Sequence, residues 1–450
     1  MRRTLNNYGM ILVLLALCLL FSLLTLKRQV PTGSAAAKEL VARIVDGFGE
    51  RDVILVVGAV NKDTAPLAEE TGMLLRQRGF SNVRVVVGTP RDLRLKLDRI
   101  TADGEKLAAI ATGGDVIRWG VIEQLPEKFP QLATCRLVAP QSRLWPTFLK
   151  RSNLLAIVDR IIVIAIIAIG MTMVIITAGI DLSVGSLIAL SAVAATLTMK
   201  ALGGASASGA AVWLGFLAGI LCCGLVGCGS GLLVAYFKVA PFIVTLGVMM
   251  MARGLAFLLT GGFSIYQVPE ALPWLGQGRS LGVPNTVILL IGLFLAAHIF
   301  MTHTRLGRYI YAVGGNEEAA RLSGVPVKLV IVFVYAVSAL CAGLGGCIQA
   351  SQLNTGTPSM GVMYELYVIA AVVVGGTSLS GGSGRVLGTL IGAFIISVIQ
   401  NGMNLLGMES YTQQVVLGTV ILAAVLLDKA RSSRSMAPFL TGRKGSLPRS

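Results

Sequence analysis

Hydrophobic and polar positions divide this chain into three stretches of different character. Arg2 and Arg3 precede an apolar run from Gly9 to Leu26, which ends at Lys27 and Arg28. A cleaved signal peptide would carry small residues where those two basic residues stand. The run is therefore predicted to be a retained first span, residues 1–29 with their N-terminus inside. Ala35-Ala36-Ala37 offers the alternative, a late cleavage site. Residues 30–148 are rich in charge and alternate short β-type runs with helical patterns. From Leu154 onward long apolar segments follow one another closely. They predict spans near 157–178, 183–200, 210–236, 241–260, 284–302, 329–350, 363–378, 387–403 and 413–428. With the first run this makes a polytopic all-α membrane protein of about ten transmembrane helices.

The middle stretch reads differently. Val53–Gly58 (VILVVG), Val83–Val87, Leu107–Ala111 and Thr134–Ala139 are predicted strands. Between them lie predicted helices over Thr64–Arg78 (capped by Asp63, stopped at Gly79), Asp92–Ile100 and Val116–Leu125. Strictly alternating strands and helices imply a small α/β layer domain, inserted between the first and second spans. One preceding span would put it on the outer face.

Composition agrees with the pattern. Only 13% of the 450 residues are charged, and the mean hydropathy is +0.77. The net charge of +16 would suit a nucleic-acid partner, but its distribution argues against one. Six basic residues and no acid lie between Lys429 and Arg449, in a basic tail (429–450) after the 149–428 membrane core. Basic residues near span ends mark the cytoplasmic side. Counting spans puts both termini, Lys238, Arg385 and the loop 303–328 inside, with Arg151 and Lys200 as exceptions. Five of the seven cysteines (Cys222, Cys223, Cys228, Cys341, Cys347) fall in the spans predicted beyond Leu154 and read as small packing residues. Cys135 is outside them, so neither a disulfide framework nor a zinc spacing is present.

The most polar run of the C-terminal two-thirds is Thr304–Val327. Asn316 can cap a helix that opens with Glu317 and Glu318, whose charges suit a helix N-terminus. Gly324 and Pro326 stop it. A short helix outside the bilayer is thus offered to a partner. The chain has no phosphate-binding GxxxxGK[ST] loop. Gly382–Gly388 mimics a dinucleotide fingerprint but joins two spans and lacks the strand. His298 and His303 have no metal or triad partner in the pattern, and no enzyme signature or cofactor is expected. Intramembrane polar residues usually face a cavity or a partner. Asp181, Ser183, Arg253 and Glu365, with the amides Gln349, Gln400, Asn401 and Asn404, are translocation-path candidates; for each, a helix cap or interhelical hydrogen bond is the alternative. So few charges fit an uncharged, hydroxyl-rich solute better than a proton relay. Gly215/Gly219, Gly227/Gly231 and Gly388/Gly392 have the spacing of close helix contacts. AGIDLSVGS (178–186) and GGTSLSGGS (375–383) form a weak internal echo, a shared Gly/Ser turn with Ser as an N-cap or a trace of repeat architecture.

Four segments carry a resemblance: Ile169–Leu190 (IGMTMVIITAGIDLSVGSLIAL), Pro241–Thr260 (PFIVTLGVMMMARGLAFLLT), Thr304–Val325 (TRLGRYIYAVGGNEEAARLSGV) and Tyr364–Ala393. In this order they closely resemble the membrane permease subunit of bacterial ribose-type ABC importers, whose members handle ribose, xylose, arabinose, galactose and similar sugars. The resemblance covers residues 150–428. It implies a bacterial inner-membrane protein, surrounded by lipid, in which two permease copies form the path. A separate cytoplasmic ATPase chain would bind ATP, and a periplasmic sugar-binding protein would deliver the sugar. It also implies that the ATPase meets the GGNEAAARLSG-like loop, here Gly314, Gly315, Asn316, Glu317, Glu318, Ala319, Ala320, Arg321, Leu322, Ser323 and Gly324; Glu318 stands where alanine is common. The alternative is a self-powered secondary transporter of a small polar solute, which would need a buried charge relay. The 30–148 insert departs from the family, whose first two spans are joined by a short loop. Its alternation is loosely similar to half of a sugar-binding protein, and a generic α/β layer is the plainer reading. A docking or tethered recognition lobe is the functional expectation for it.

Overall fold

The computed structural model describes residues 2–31, 33–60 and 64–441; the expected Asp63 cap and the side chains of the basic tail beyond Lys429 lie outside the described residues. The chain divides into two compact units, Leu26–Thr147 and the remainder. Helix α1 (Arg2–Leu24) belongs to the larger unit.

The smaller unit holds β1 (Leu26–Gln29), α2 (Ser34–Gly47), β2 (Val53–Ala59), α3 (Ala65–Gln77), β3 (Val83–Gly88), α4 (Pro90–Ala102), β4 (Leu107–Thr112), β5 (Arg136–Val138) and β6 (Arg143–Pro146). Four strands form a parallel sheet in the order β3-β2-β4-β5. Successive strand residues point to opposite faces. Ile54 and Val56 of β2 accordingly pack with Ile44, Ala68 and Leu75 of α2 and α3. Leu55 and Val57 pack with Leu93, Leu97 and Ile100 of α4. Helices on both faces explain why β2 reads as an unbroken apolar run rather than an alternating one. The Thr89 hydroxyl and the Asp92 carboxylate close a capping box at the start of α4. The Thr89 amide and hydroxyl, both donating to it, hold the Asp92 carboxyl below the usual carboxylate range.

One expectation needs correction here. The helix expected over Val116–Leu125 is a 3-10 turn, Gly114–Arg118, followed by two four-residue helices. Trp119 takes extended backbone, and Pro126 has no N–H with which to continue a helix. Helix α2 and the antiparallel ribbon of β1 with β6 were not expected at all. Ala36 and Ala37, part of the alternative cleavage site, are fully buried within α2 beside Leu40 and Leu67.

The larger unit continues with α5 (Arg151–Ile176), α6 (Val184–Ala201), α7 (Gly209–Phe237), α8 (Pro241–Thr260), α9 (Asn285–His303), α10 (Arg305–Gly315), α11 (Glu317–Leu322), α12 (Val327–Leu353), α13 (Tyr364–Val374), α14 (Val386–Leu405) and α15 (Ser410–Thr441). Among the described residues seven helices are long and apolar enough to cross a membrane, and three shorter apolar helices accompany them, at Gly9–Leu24, Tyr364–Val374 and Ser410–Leu426. The α5, α6 and α14 spans are 67%, 72% and 78% buried, against 28% for α8 and α9. The first three therefore form the interior, and the outer two turn leucine, isoleucine and phenylalanine outward. In a bilayer such faces are solvated by lipid tails.

Helix α12 is the axis of this unit and packs on α5, α6 and α7. The packing is close because small residues line it. A Cβ on Gly227 would come 2.4 Å from the Ala339 Cβ, and one on Gly231 would come 2.6 Å from the Val332 Cα. Backbones meet where glycine leaves room, as the spacing predicted.

The span expected at 363–378 is shorter than predicted. Helix α13 has only 11 residues and follows a non-helical segment, Asn354–Met363. A Cβ on Gly356 would strike Thr196, while Gly361 lies against Gly185 and Ile188. The segment thus runs along α6 for about two turns before α13 begins. Non-helical backbone at membrane depth persists only where protein satisfies its polar groups. Here Arg253 supplies donors to two of its carbonyls, and Ile265 to that of Gly356.

Candidate functional site

Two regions of the larger unit gather polar groups. The first surrounds the broken helix. Arg253 on α8 donates through Nη1 to the carbonyls of Pro358 (2.9 Å) and Met360 (2.6 Å), and through Nη2 to that of Gly185 (3.3 Å). The guanidinium fork thereby fastens the non-helical segment to the start of α6. The Glu365 carboxylate lies against Gly185, where a Cβ would approach its Oε2 to 2.0 Å. Asp181 is 1% exposed. Its Oδ1 accepts from the Ser183 amide (3.0 Å) and hydroxyl (2.6 Å), and its Oδ2 from Ser338 Oγ (2.8 Å). Ser183 stands at the N-cap position of α6 but makes no side-chain cap, because its hydroxyl is turned to Asp181. The expected serine cap is corrected accordingly.

The amides separate into groups that the sequence did not distinguish. Gln349 Nε2 donates to the Tyr364 hydroxyl at 3.2 Å, and its Oε1 is buried without a partner among the described residues. The Tyr364 and Tyr367 rings meet edge to face at 6.1 Å. Gln400 is buried beside Tyr367, and Arg160 is close enough to both tyrosines to be felt electrostatically. Helices α5, α12, α13 and α14 thus bring two amides, two phenols and a guanidinium together. Asn401 is committed elsewhere: it exchanges reciprocal amide hydrogen bonds with Asn153 (2.9 and 3.0 Å) that tie α14 to α5. Asn404 is exposed and accepts from Gln413 at 2.8 Å. The tyrosines were missed because an aromatic at the start of an apolar run reads as core. The signal that marks them is their i, i+3 spacing beside Glu365, which puts both on one helix face.

The second region is the polar loop. It contains two helices rather than one. Thr304 caps α10 by accepting from the Gly307 amide at 3.0 Å, and Asn316 caps α11 by accepting from the Ala319 amide at 2.9 Å. Arg305–Gly315 escaped notice because only Gly307, Ile310 and Val313 of it are buried, a stripe too narrow to stand out among polar neighbours. Glu317, Glu318, Ala319, Arg321, Leu322, Ser323 and Gly324 are exposed, whereas Ala320 is buried. Arg321 Nε donates to Glu318 Oε2 at 3.1 Å. That hydrogen bond keeps the Glu318 carboxyl below the usual range and the Arg321 guanidinium above its own.

The base of this helical pair is a junction. A Cβ on Gly314 would lie 1.7 Å from the Ile176 carbonyl oxygen and 2.7 Å from the Gly382 nitrogen. Gly382 N donates to that same carbonyl at 2.9 Å. A Cβ on Gly381, at φ +83°, would meet the Ala178 Cβ at 3.0 Å. The two echo segments, 178–186 and 375–383, therefore touch each other, and Gly314 touches both ends of the contact.

A family model described as "Branched-chain amino acid transport system / permease component" matches residues 153–425. The ribose import permease protein of Escherichia coli (strain K12) is 45% identical over 312 residues, covering 68% of this chain and 95% of that protein. The chain belongs to this permease family. Its counterpart in Bacillus subtilis (strain 168) is 42% identical over 316 residues, 70% and 95% of the two chains. The D-allose transport system permease protein of Escherichia coli (strain K12) is 37% identical over 282 residues, 63% and 85% of the two. No solved structure matches the chain. As a transport permease it is a carrier subunit rather than an enzyme, built into the membrane through many apolar helices. Both regions described above fall inside the matched residues, whereas the Leu26–Thr147 unit lies before them.

Proposed function

We propose that this permease carries a ribose-like monosaccharide across the bacterial inner membrane as one subunit of an ATP-binding-cassette importer. The observation that carries the reading is the 45% identity to a ribose import permease over nearly that protein's whole length. ATP would be bound and hydrolysed by a separate cytoplasmic chain. A second permease copy would complete the path, and a periplasmic sugar-binding protein would load it. The seven long helices and the three shorter ones make ten spans when Asn354–Met363 and α13 are taken together. An even count puts both termini on one side, and with the N-terminus inside, as proposed, α10 and α11 would lie on the cytoplasmic side as well.

The residues suit these roles. Sugar hydroxyls need neutral donors and acceptors and an apolar or aromatic wall. Gln349, whose Oε1 has no partner among the described residues, together with Tyr364, Tyr367 and Gln400, supplies such a surface. Arg253 and Glu365 hold the broken helix that carries two of those groups against the start of α6, and Asp181 with Ser183 ties that start to Ser338 of α12. For coupling, the exposed Glu317–Ser323 surface would seat on the ATPase, and Gly314 would pass its movement to the ends of α5 and α14 through the junction. The smaller unit, on the outer face in this topology, would be a docking lobe for the binding protein.

Uptake of labelled ribose by proteoliposomes holding permease, ATPase and binding protein tests the reading. Uptake should require ATP and fall when Glu317 and Glu318 are both replaced by alanine. Equal uptake without any ATPase would instead establish a secondary transporter. Normal ATPase association and normal uptake in the double variant would overturn the coupling role. A pulldown of the binding protein by the Leu26–Thr147 unit tests docking, and no affinity would remove that role.

A further inference from the structure

A separate cavity of about 480 Å³ opens at one end of the bundle, between the C-terminal turn of α9, the middle of α10 and the first turn of α14. Its polar lining is His298, Thr302, Tyr311 and Arg385, and its apolar lining includes Met301 and Leu387. None of these belongs to the amide–tyrosine group or to the exposed face of α11. The end of α9 and the start of α14 lie at the same level because the two helices run in opposite directions and pack together. The cavity is thus at a membrane boundary, with span on one side and polar loop on the other.

Its groups are unevenly committed. The Tyr311 hydroxyl donates to the Gly384 carbonyl at 2.9 Å, which fixes the ring as one wall. Thr302 Oγ1 is held by the His298 carbonyl and by His303 Nδ1, both at 2.6 Å. Arg385 is exposed and enters no ion pair among the described residues. An arginine with a vacant fork, a neighbouring imidazole and the opening amides of a 20-residue helix form a donor set for a phosphate oxygen. Below the cavity the surface turns apolar. Leu387 on α14, with Ile291, Leu295 and Ile299 on α9, is exposed in a row descending along the spans. The two halves match a molecule with an anionic head and hydrocarbon tails, oriented as in a bilayer leaflet. A basic recess between spans beside lipid-exposed apolar surface is how membrane proteins hold acidic phospholipids.

We propose that this cavity is a binding site for the headgroup of an anionic phospholipid, with Arg385 as the phosphate ligand, His298 beside it and the acyl chains laid along α9 and α14. Because α10 forms one wall, the bound lipid would also brace the base of the α10–α11 pair. The site depends on the spans lying in a bilayer and not on which solute is carried.

The full-length protein in nanodiscs of equimolar phosphatidylcholine and phosphatidylglycerol provides the test. After extraction into neutral detergent, co-purifying lipid is counted by native mass spectrometry for the wild type, Arg385→Ala, Arg385→Lys and His298→Gln. Phosphatidylglycerol should be retained over phosphatidylcholine in the wild type, and retention should fall about fivefold in Arg385→Ala, the scale of one basic residue at a membrane surface. Arg385→Lys keeps the charge and should keep most of the lipid, and His298→Gln should lose less than Arg385→Ala. Inorganic phosphate in large excess should not displace the lipid, since it lacks the chains. Equal retention in Arg385→Ala and wild type would overturn the proposal. Displacement by inorganic phosphate alone would also overturn it and make the cavity a free-anion site. Circular dichroism and size exclusion of each variant separate loss of lipid from loss of fold.

Discussion

At Gly314 a hydrogen atom occupies the place where any other residue would drive a carbon into the Ile176 carbonyl. Substitution must therefore move backbone, and overpacking of that kind costs typically 1–3 kcal/mol. Gly314→Ala should lower ATP-driven uptake severalfold while leaving ATPase association near normal, because the exposed face of α11 is untouched. Binding and uptake measured on the same preparation check this, and full uptake would show that the junction tolerates separation. Asp181 raises a different question, that of a carboxylate buried with three donors. Removing one donor leaves an oxygen unpaired, at about 1–3 kcal/mol. Ser338→Ala should therefore lower the thermal midpoint by several degrees, read by the loss of monodisperse protein on heating. An unchanged midpoint would mean that water replaces the hydroxyl.

At the scale of elements, the contrast lies between helices held by their own caps and a segment held by others. Helix α11 has six residues and one buried side chain, Ala320, so its cap matters more than its packing. Short helices are marginal without tertiary support. Asn316→Ala should destabilise α11 by about 1 kcal/mol, and Asn316→Asp should restore most of it. Hydrogen exchange at Ala319–Leu322 would show this as faster exchange in the alanine variant only; equal exchange in all three proteins would mean that the cap is dispensable. Asn354–Met363 has no cap of that kind. The Thr357 carbonyl accepts from the Met360 amide and Gly356 pairs with Ile265, but the carbonyls of Pro358 and Met360 depend on Arg253 from another helix. That is why it could not be read locally: TGTPSM carries glycine and proline but nothing that names the distant donor.

For the whole molecule, the division into two units makes a prediction of its own. The Leu26–Thr147 unit buries separate apolar clusters on both faces of its sheet and has helices over each. A chain of that size can sustain a core. Expressed alone it should be soluble and unfold cooperatively, as checked by circular dichroism during urea titration. A non-cooperative or insoluble product would show that it needs the spans. Conversely, the spans with residues 26–147 replaced by a short flexible linker should still insert and still bind the ATPase, because the family match begins only at residue 153.

The sequence by itself determined the class of protein and most of its elements, because long apolar runs, β2-type runs and the Asn316-Glu317-Glu318 cap are local signals with local causes. It also placed the family motifs in order. Only the tertiary structure decided which polar residues act together. Gln349 and Gln400 join Tyr364 and Tyr367, whereas Asn401 pairs with Asn153 and Asn404 faces outward. All four amides look alike in one dimension, since burial and partnership are properties of neighbours far along the chain. The same holds for Gly314. Its glycine could be read as the end of a helix, but the carbonyl that forbids any larger residue comes from Ile176, 138 positions earlier.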